Sequence, residues 1–292
     1  MSDWGKGVNN DIGWGQGANN DIGWGSIYDK SYAGETLLGG GGGFDSDYQA
    51  VLDKGIANGN TAPTSTNAGN QLMIDLKSSG AFAKADALGV LASGGGSDSG
   101  FALIDWKRLI NLTAVNSPTF NDTQGFTGNG TSSYIDLLYN PSTDAVNWGI
   151  NDHSFMAFNS NPTAKQGVLI SCFDSSNTFC EISNDNPSTR FIAWDNSQIG
   201  RTPATSSGEQ DGMLEIKRTN ASAFQFYRNG NDISITAVET VATPNAGFRL
   251  LARSNDSAYG NGQSPFFYIG QALTDTERLD LLTAVNTYLA SI

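Results

Sequence analysis

The chain has 292 residues, of which 16 are basic and 29 acidic, giving a formal net charge of −13. That balance excludes the basic surplus needed to release counterions from a nucleic-acid backbone or to dock on an anionic membrane surface. With 35 glycines and only 15% charged residues, the composition favours a turn-rich β-protein. No stretch is apolar for long enough to cross a bilayer, and Met1-Ser2-Asp3-Trp4 has no basic or apolar leader, so no export signal is expected.

The chain opens on a ten-residue repeat. Trp4-Gly5-Lys6-Gly7-Val8-Asn9-Asn10-Asp11-Ile12-Gly13 is followed by Trp14-Gly15-Gln16-Gly17-Ala18-Asn19-Asn20-Asp21-Ile22-Gly23 and then Trp24-Gly25. Glycine and asparagine cannot bury enough apolar surface to order such a strip alone. Trp4, Trp14 and Trp24 are large anchors on that backbone, so residues 1–43, ending in the run Gly39 to Gly43, read as an anchoring repeat with a glycine hinge.

Residues 44–110 read as a small helical spacer. Tyr48, Val51 and Leu52 share a helical face behind a cap at Asp45 or Ser46. A second helix is expected from about Asn67 to Ser78, and Phe82, Leu88, Val90 and Leu91 suggest a short third helical segment. From about residue 111 the pattern becomes that of strands. Ten short segments between Ser133 and Ile269, separated by Asn, Asp, Gly, Ser and Pro, predict an antiparallel β-sandwich. Asn229-Gly230 between two of them is a hairpin signal. Thr274 and Glu277 form a capping box opening a C-terminal helix with Leu281, Leu282, Val285 and Leu289 on its apolar stripe. The fold class is therefore mainly β, with an extended N-terminal repeat, a helical spacer and a sandwich over 111–292.

The residues from Gly125 through Asp136, Phe224 through Gly230, and Phe267 through Glu277 resemble a concanavalin A-like or laminin-G-like jelly roll. This grammar covers about residues 115–292. The Trp-Gly-x-Gly-x-Asn-Asn repeat, the spacer from Phe44 to Lys77 and the sandwich together resemble a tailed-bacteriophage virion protein of head-fibre, tail-fibre or capsid-decoration type. The resemblance implies attachment to other virion proteins through residues 1–43, a homo-oligomer, residence in the virion, and an outward lectin-like domain. A receptor- or glycan-binding adhesin is the alternative, and a glycan depolymerase on the same fold a further one.

Catalytic groupings are scarce. His153 is the only histidine and, beside a strand start, reads as a turn or surface residue. Cys172 and Cys180 flank a turn and are expected as reduced, structural thiols whose spacing matches no zinc motif. Glu209-Gln210-Asp211 has carboxylates at i and i+2 but in a polar loop, while Glu181 and Glu215 stand alone among apolar neighbours. No enzyme is expected, and no cofactor. Calcium at Asp152, Asp195 or Asp256 is conceivable, although no loop carries a complete ligand set. Glycan contact is expected from Trp148, Trp194, Asp195, Asn255, Asp256 and Tyr259, which combine aromatic faces with amide and carboxylate groups in turn-rich segments.

Overall fold

The computed structural model describes residues 43–160, 167–174, 178–185, 190–195, 198–201, 212–233 and 242–292. Trp4, Trp14 and Trp24 lie outside the described residues, as do Glu209 and Asp211. Three helices come first: α1 (Ser46–Ala57), α2 (Thr66–Ser78) and the single turn α3 (Ala81–Lys84). Asp45 is the cap of α1, accepting a hydrogen bond from the Asp47 N–H, and it also pairs with Lys77 at 2.6 Å. Tyr48, Val51 and Leu52 are buried along one face of α1, as the helical spacing requires.

The third helical segment ends sooner than expected. After α3 the chain extends into strand β1 (Ala85–Val90), whose six residues are all buried. The reason lies far along the sequence, because β1 pairs antiparallel with β16 (Phe266–Gly270). Gly89 fits there because a Cβ would strike the Phe267 ring, and tertiary pairing overrides local helical pattern at such a site. Phe44–Ile292 accordingly forms one compact unit.

Two antiparallel sheets make the sandwich, and β3 (Thr119–Asn121), β4 (Gly125–Thr127) and β15 (Gln263–Ser264) form a small third sheet. The first runs β1–β16–β6–β11–β12–β13, with β6 at His153–Asn159, β11 at Gly212–Asn220, β12 at Ala223–Arg228 and β13 at Asn231–Asp232. The second runs β10–β9–β8–β7–β14–β5–β2. Its strands are β2 (Thr113–Val115), β5 (Tyr134–Asp136), β7 (Gly167–Phe173), β8 (Phe179–Asp185), β9 (Arg190–Asp195), β10 (Gln198–Arg201) and β14 (Arg249–Leu250). Alternation places Phe155, Leu214, Ile216, Phe226 and Phe267 of the first sheet in one apolar core with Ile135, Ile170, Cys172, Cys180, Ile182 and Leu250 of the second. Asn229 and Gly230, with φ of 48° and 78°, form the predicted two-residue turn between β12 and β13. A strand over 233–237 was also expected, and positions 234–237 lie outside the described residues.

The other face of the first sheet is covered by helices. After the single turn α4 (Ser99–Ala102), the C-terminal helix α5 (Asp275–Ser291) begins with both halves of the capping box, Thr274 and Glu277, in place. It packs on α2, Glu277 pairs with Lys84 at 2.7 Å, and Tyr288 donates to the Ala92 carbonyl at 2.9 Å. Helices thus cover much of this face of the first sheet, while its edge strand β13 stays exposed. The second sheet keeps its outer face for the loops.

Candidate functional site

On that outer face, Tyr134 and Asp136 of β5 flank the inward Ile135, and Arg249 of β14 pairs in register with Asp136. Beyond β14 the chain leaves the sheet at Leu251, whose φ of 68° costs an L side chain about 1 kcal/mol. The loop then folds back over its own sheet. It is pinned by Arg253 N–H to the Ala258 carbonyl at 2.9 Å and by Gly260 N–H to the Leu251 carbonyl at 2.7 Å. Gly260 is required because a Cβ would collide with the Val168 carbonyl. The Ser254 hydroxyl bonds both the N–H and the carbonyl of Phe173, at 2.6 and 2.7 Å.

This return brings four side chains together. The Arg249 guanidinium lies 4.2 Å from the Tyr134 ring centroid and donates to Asp256 Oδ1 at 2.7 Å. The Tyr259 hydroxyl donates to the same oxygen at 3.1 Å, and the two tyrosine rings stand 6.5 Å apart. Desolvation, and then hydrogen bonding to the Asp256 carboxylate, push the Tyr259 phenol pKa up. Asp256 remains 56% exposed at its side chain, while Arg249 is 15% exposed. The result is an open aromatic–guanidinium–carboxylate patch shared between two strands and a fixed loop. Its ring faces suit C–H groups, its carboxylate accepts from hydroxyls, and the guanidinium donates to oxygens.

The loop is anchored from beneath. Arg253 makes a two-pronged pair with Glu181, at 2.6 and 2.9 Å, and its guanidinium lies 5.6 Å from the Phe173 ring centroid. Glu181 is fully buried, so it is the loop's counter-ion rather than a solitary acid. Glu215 has a different partner set. Ser154 donates to it at 2.9 Å and Arg278 of α5 stands 3.9 Å away. Burial dominates and pushes its carboxyl up to about 7.

A second polar cluster sits inside the sandwich. His153 at the start of β6 is fully buried, which corrects the surface reading. Its Nδ1 is 2.8 Å from the Gly149 carbonyl and its Nε2 is 3.2 Å from Asp195 Oδ1. Arg218 donates through Nε to Asp195 Oδ2 at 2.6 Å. Cys180 lies 3.4 Å from Asp195 Oδ1. Burial raises the Asp195 pKa, but the neighbouring His153 and Arg218 outweigh it and leave the carboxyl below its ordinary value.

Several expected glycan contacts therefore change role. Trp148 is 7% exposed and stacks on the His153 ring at 3.9 Å. The Asp86 carboxylate draws it inward by accepting the backbone N–H groups of Val146, Asn147 and Trp148. Asp195 is buried against Arg218 and His153 and has no exposed surface, so neither residue meets a ligand at the surface. Asn255 is exposed, but its Oδ1 is occupied by Ser257. Asp256 and Tyr259 are brought together. Trp194 pairs in register with Glu181, and its side chain lies outside the described residues. Asp152 bonds Gln271 at 2.8 Å, so the three aspartates considered for calcium have separate partners. Sequence reading missed Tyr134 and Arg249, which had only strand periodicity to mark them.

No protein-family model matches the chain, and no curated protein sequence matches it. Among solved structures it is similar to the botulinum neurotoxin serotype G binding domain, at 16% identity and a TM-score of 0.48, over 70% of this chain and 51% of that one. It is also similar to the binding domain of botulinum neurotoxin DC in complex with SialylT, at 14% identity and a TM-score of 0.46, over 69% and 51%. A third likeness is to Trypanosoma rangeli sialidase, at 10% identity and a TM-score of 0.46, over 69% and 33%. The chain thus spans about half the length of the neurotoxin structures and a third of the sialidase.

Proposed function

We propose that this chain is a non-catalytic display protein whose sandwich binds glycan through the outer face of its second sheet. The observation that supports this reading is the open cluster of Tyr134 and Arg249 on the sheet with Asp256 and Tyr259 on a loop pinned at both ends. A fixed loop loses little conformational freedom on binding, which favours weak, repeated contacts with sugars. Among the described residues, the buried acids Glu181, Asp195 and Glu215 are held by Arg253, by Arg218 with His153, and by Ser154. Partners within the fold support reading these acids as structural rather than catalytic.

The finer reading is a structural protein of a tailed-bacteriophage virion, of fibre or capsid-decoration type. It is supported by the threefold Trp-Gly repeat, which offers regularly spaced anchors for a partner on the particle. Oligomeric display would multiply weak sugar contacts through effective concentration. A glycan array on the full chain tests the first reading, with binding lost in the double variant R249A/D256A as the expected result. Deletion of residues 1–25 tests the second. Retained incorporation into particles would reject the anchor, and loss of incorporation with an unchanged melting curve would support it.

A further inference from the structure

His153, Cys180 and Asp195 come from three strands of two sheets and meet at one end of the core, with all three donor atoms within 4.8 Å of one another. The hydrogen-bond pattern around His153 is the informative part. Gly149 presents only a carbonyl oxygen, so Nδ1 carries a hydrogen in the 2.8 Å contact. In a neutral imidazole the lone pair of Nε2 then points at Asp195 Oδ1, 3.2 Å away. Two acceptors facing each other in a dry interior need a positive centre between them, either a proton or a metal ion.

A third donor is at hand. The Cys180 thiol donates to the same oxygen at 3.4 Å, and as a thiolate it would complete a mixed sulfur, nitrogen and oxygen set around a metal ion. Tetrahedral zinc, with bonds of roughly 2.0 Å to N and O and 2.3 Å to S, sets its ligand atoms about 3.3 Å (N to O) and 3.5 Å (S to O) apart. These two separations match those edges, and the third, Sγ to Nε2, which lies within 4.8 Å, would have to close to about 3.5 Å as the ion binds. The surroundings match as well. A ligating histidine commonly donates its other N–H to a backbone carbonyl, as His153 does to Gly149, and a ligating carboxylate is itself hydrogen-bonded, as Asp195 is by Arg218. Trp148, stacked at 3.9 Å, fixes the plane of the imidazole ring.

We propose that His153 Nε2, Cys180 Sγ and Asp195 Oδ1 form a buried site for zinc or a similar divalent transition ion. Mixed sulfur, nitrogen and oxygen donors suit such an ion, and calcium, which takes six or more oxygens, does not fit. Binding releases the Cys180 thiol proton to solvent and forms bonds from the metal to sulfur, nitrogen and oxygen. The ion would tie β6 of the first sheet to β8 and β9 of the second. That makes it a cross-sheet clamp in a chain with no disulfide among its two cysteines.

The test uses the full chain, purified with no polyhistidine tag and no chelator. About one zinc per chain by elemental analysis is expected, with a melting temperature that falls on chelation and recovers with zinc. Cobalt loaded into the apo chain should show a thiolate-to-cobalt charge-transfer band that C180S lacks. A band that persists in C180S would overturn the assignment of Cys180. If C180S does not fold, the wild-type chain decides alone. Failure to retain zinc, with nitrogen NMR showing both His153 ring nitrogens protonated at neutral pH, would overturn the proposal and leave a proton in the gap.

Discussion

Arg218 and Arg249 make the same kind of contact, guanidinium to aspartate, at 2.6 and 2.7 Å. The first pair has no exposed side-chain surface, and in the second the aspartate is 56% exposed. A buried pair costs desolvation and is stabilising only while every partner is present. An exposed pair contributes little to stability and remains free to exchange its water for a ligand. The same chemistry therefore sits sealed between the sheets in one place and forms the proposed glycan-contact patch in the other.

The largest expected effect comes from breaking the sealed pair. D195A removes the buried carboxylate that Arg218 Nε and His153 Nε2 face at 2.6 and 3.2 Å and should cost about 3–5 kcal/mol in urea denaturation. A loss below 1 kcal/mol would show that the core relaxes around the cation. Next comes E215Q. Burial raises this carboxyl from 4.5 to about 7, so the folded state binds its proton more tightly than the unfolded chain. The stability that this confers is complete below about pH 4.5 and is lost as pH rises through about 7. The wild type should lose up to about 3 kcal/mol across that window from this group, and E215Q should lack that component. An identical pH profile in the two proteins would reject the assignment.

A smaller effect is expected at the helix start. T274A removes the side chain that accepts the Glu277 N–H and should cost about 1 kcal/mol, read as a lower unfolding midpoint. Smallest in stability is R249A/D256A, which should stay within about 0.5 kcal/mol of wild type while abolishing glycan binding. A large loss of stability there would erase the contrast between the two aspartate pairs.

Local chemistry was legible in the sequence, and long-range pairing was not. The Asn229-Gly230 turn, the Thr274–Glu277 box and the Asp45 cap each rest on residues within a few positions of one another, and each is observed. Cys172 and Cys180 also pair directly across β7 and β8, because a short turn leaves them little alternative. Strand β1 escaped notice because its partner β16 lies about 180 residues away. His153 looked like a surface residue because Asp195 and Arg218, its electrostatic context, come from other strands.

The candidate surface was half legible for the same reason. Asp256 and Tyr259 share one polar loop and could be picked out together. Tyr134 and Arg249 join them only through strand pairing and the return of the loop. Trp148 shows the opposite error: an aromatic in a polar segment resembles a binding platform until Asp86, some sixty residues earlier, claims the surrounding N–H groups. Aromatic-plus-carboxylate composition identifies a sugar-contact candidate, but burial decides its role.

The most direct test is a glycan array probed in parallel with the wild-type chain and R249A/D256A, each checked by thermal melting. The account predicts glycans bound by the wild type, lost in the double variant, and coincident melting curves. Binding that survives the double substitution, or no glycan bound by the wild type at high concentration, would contradict it.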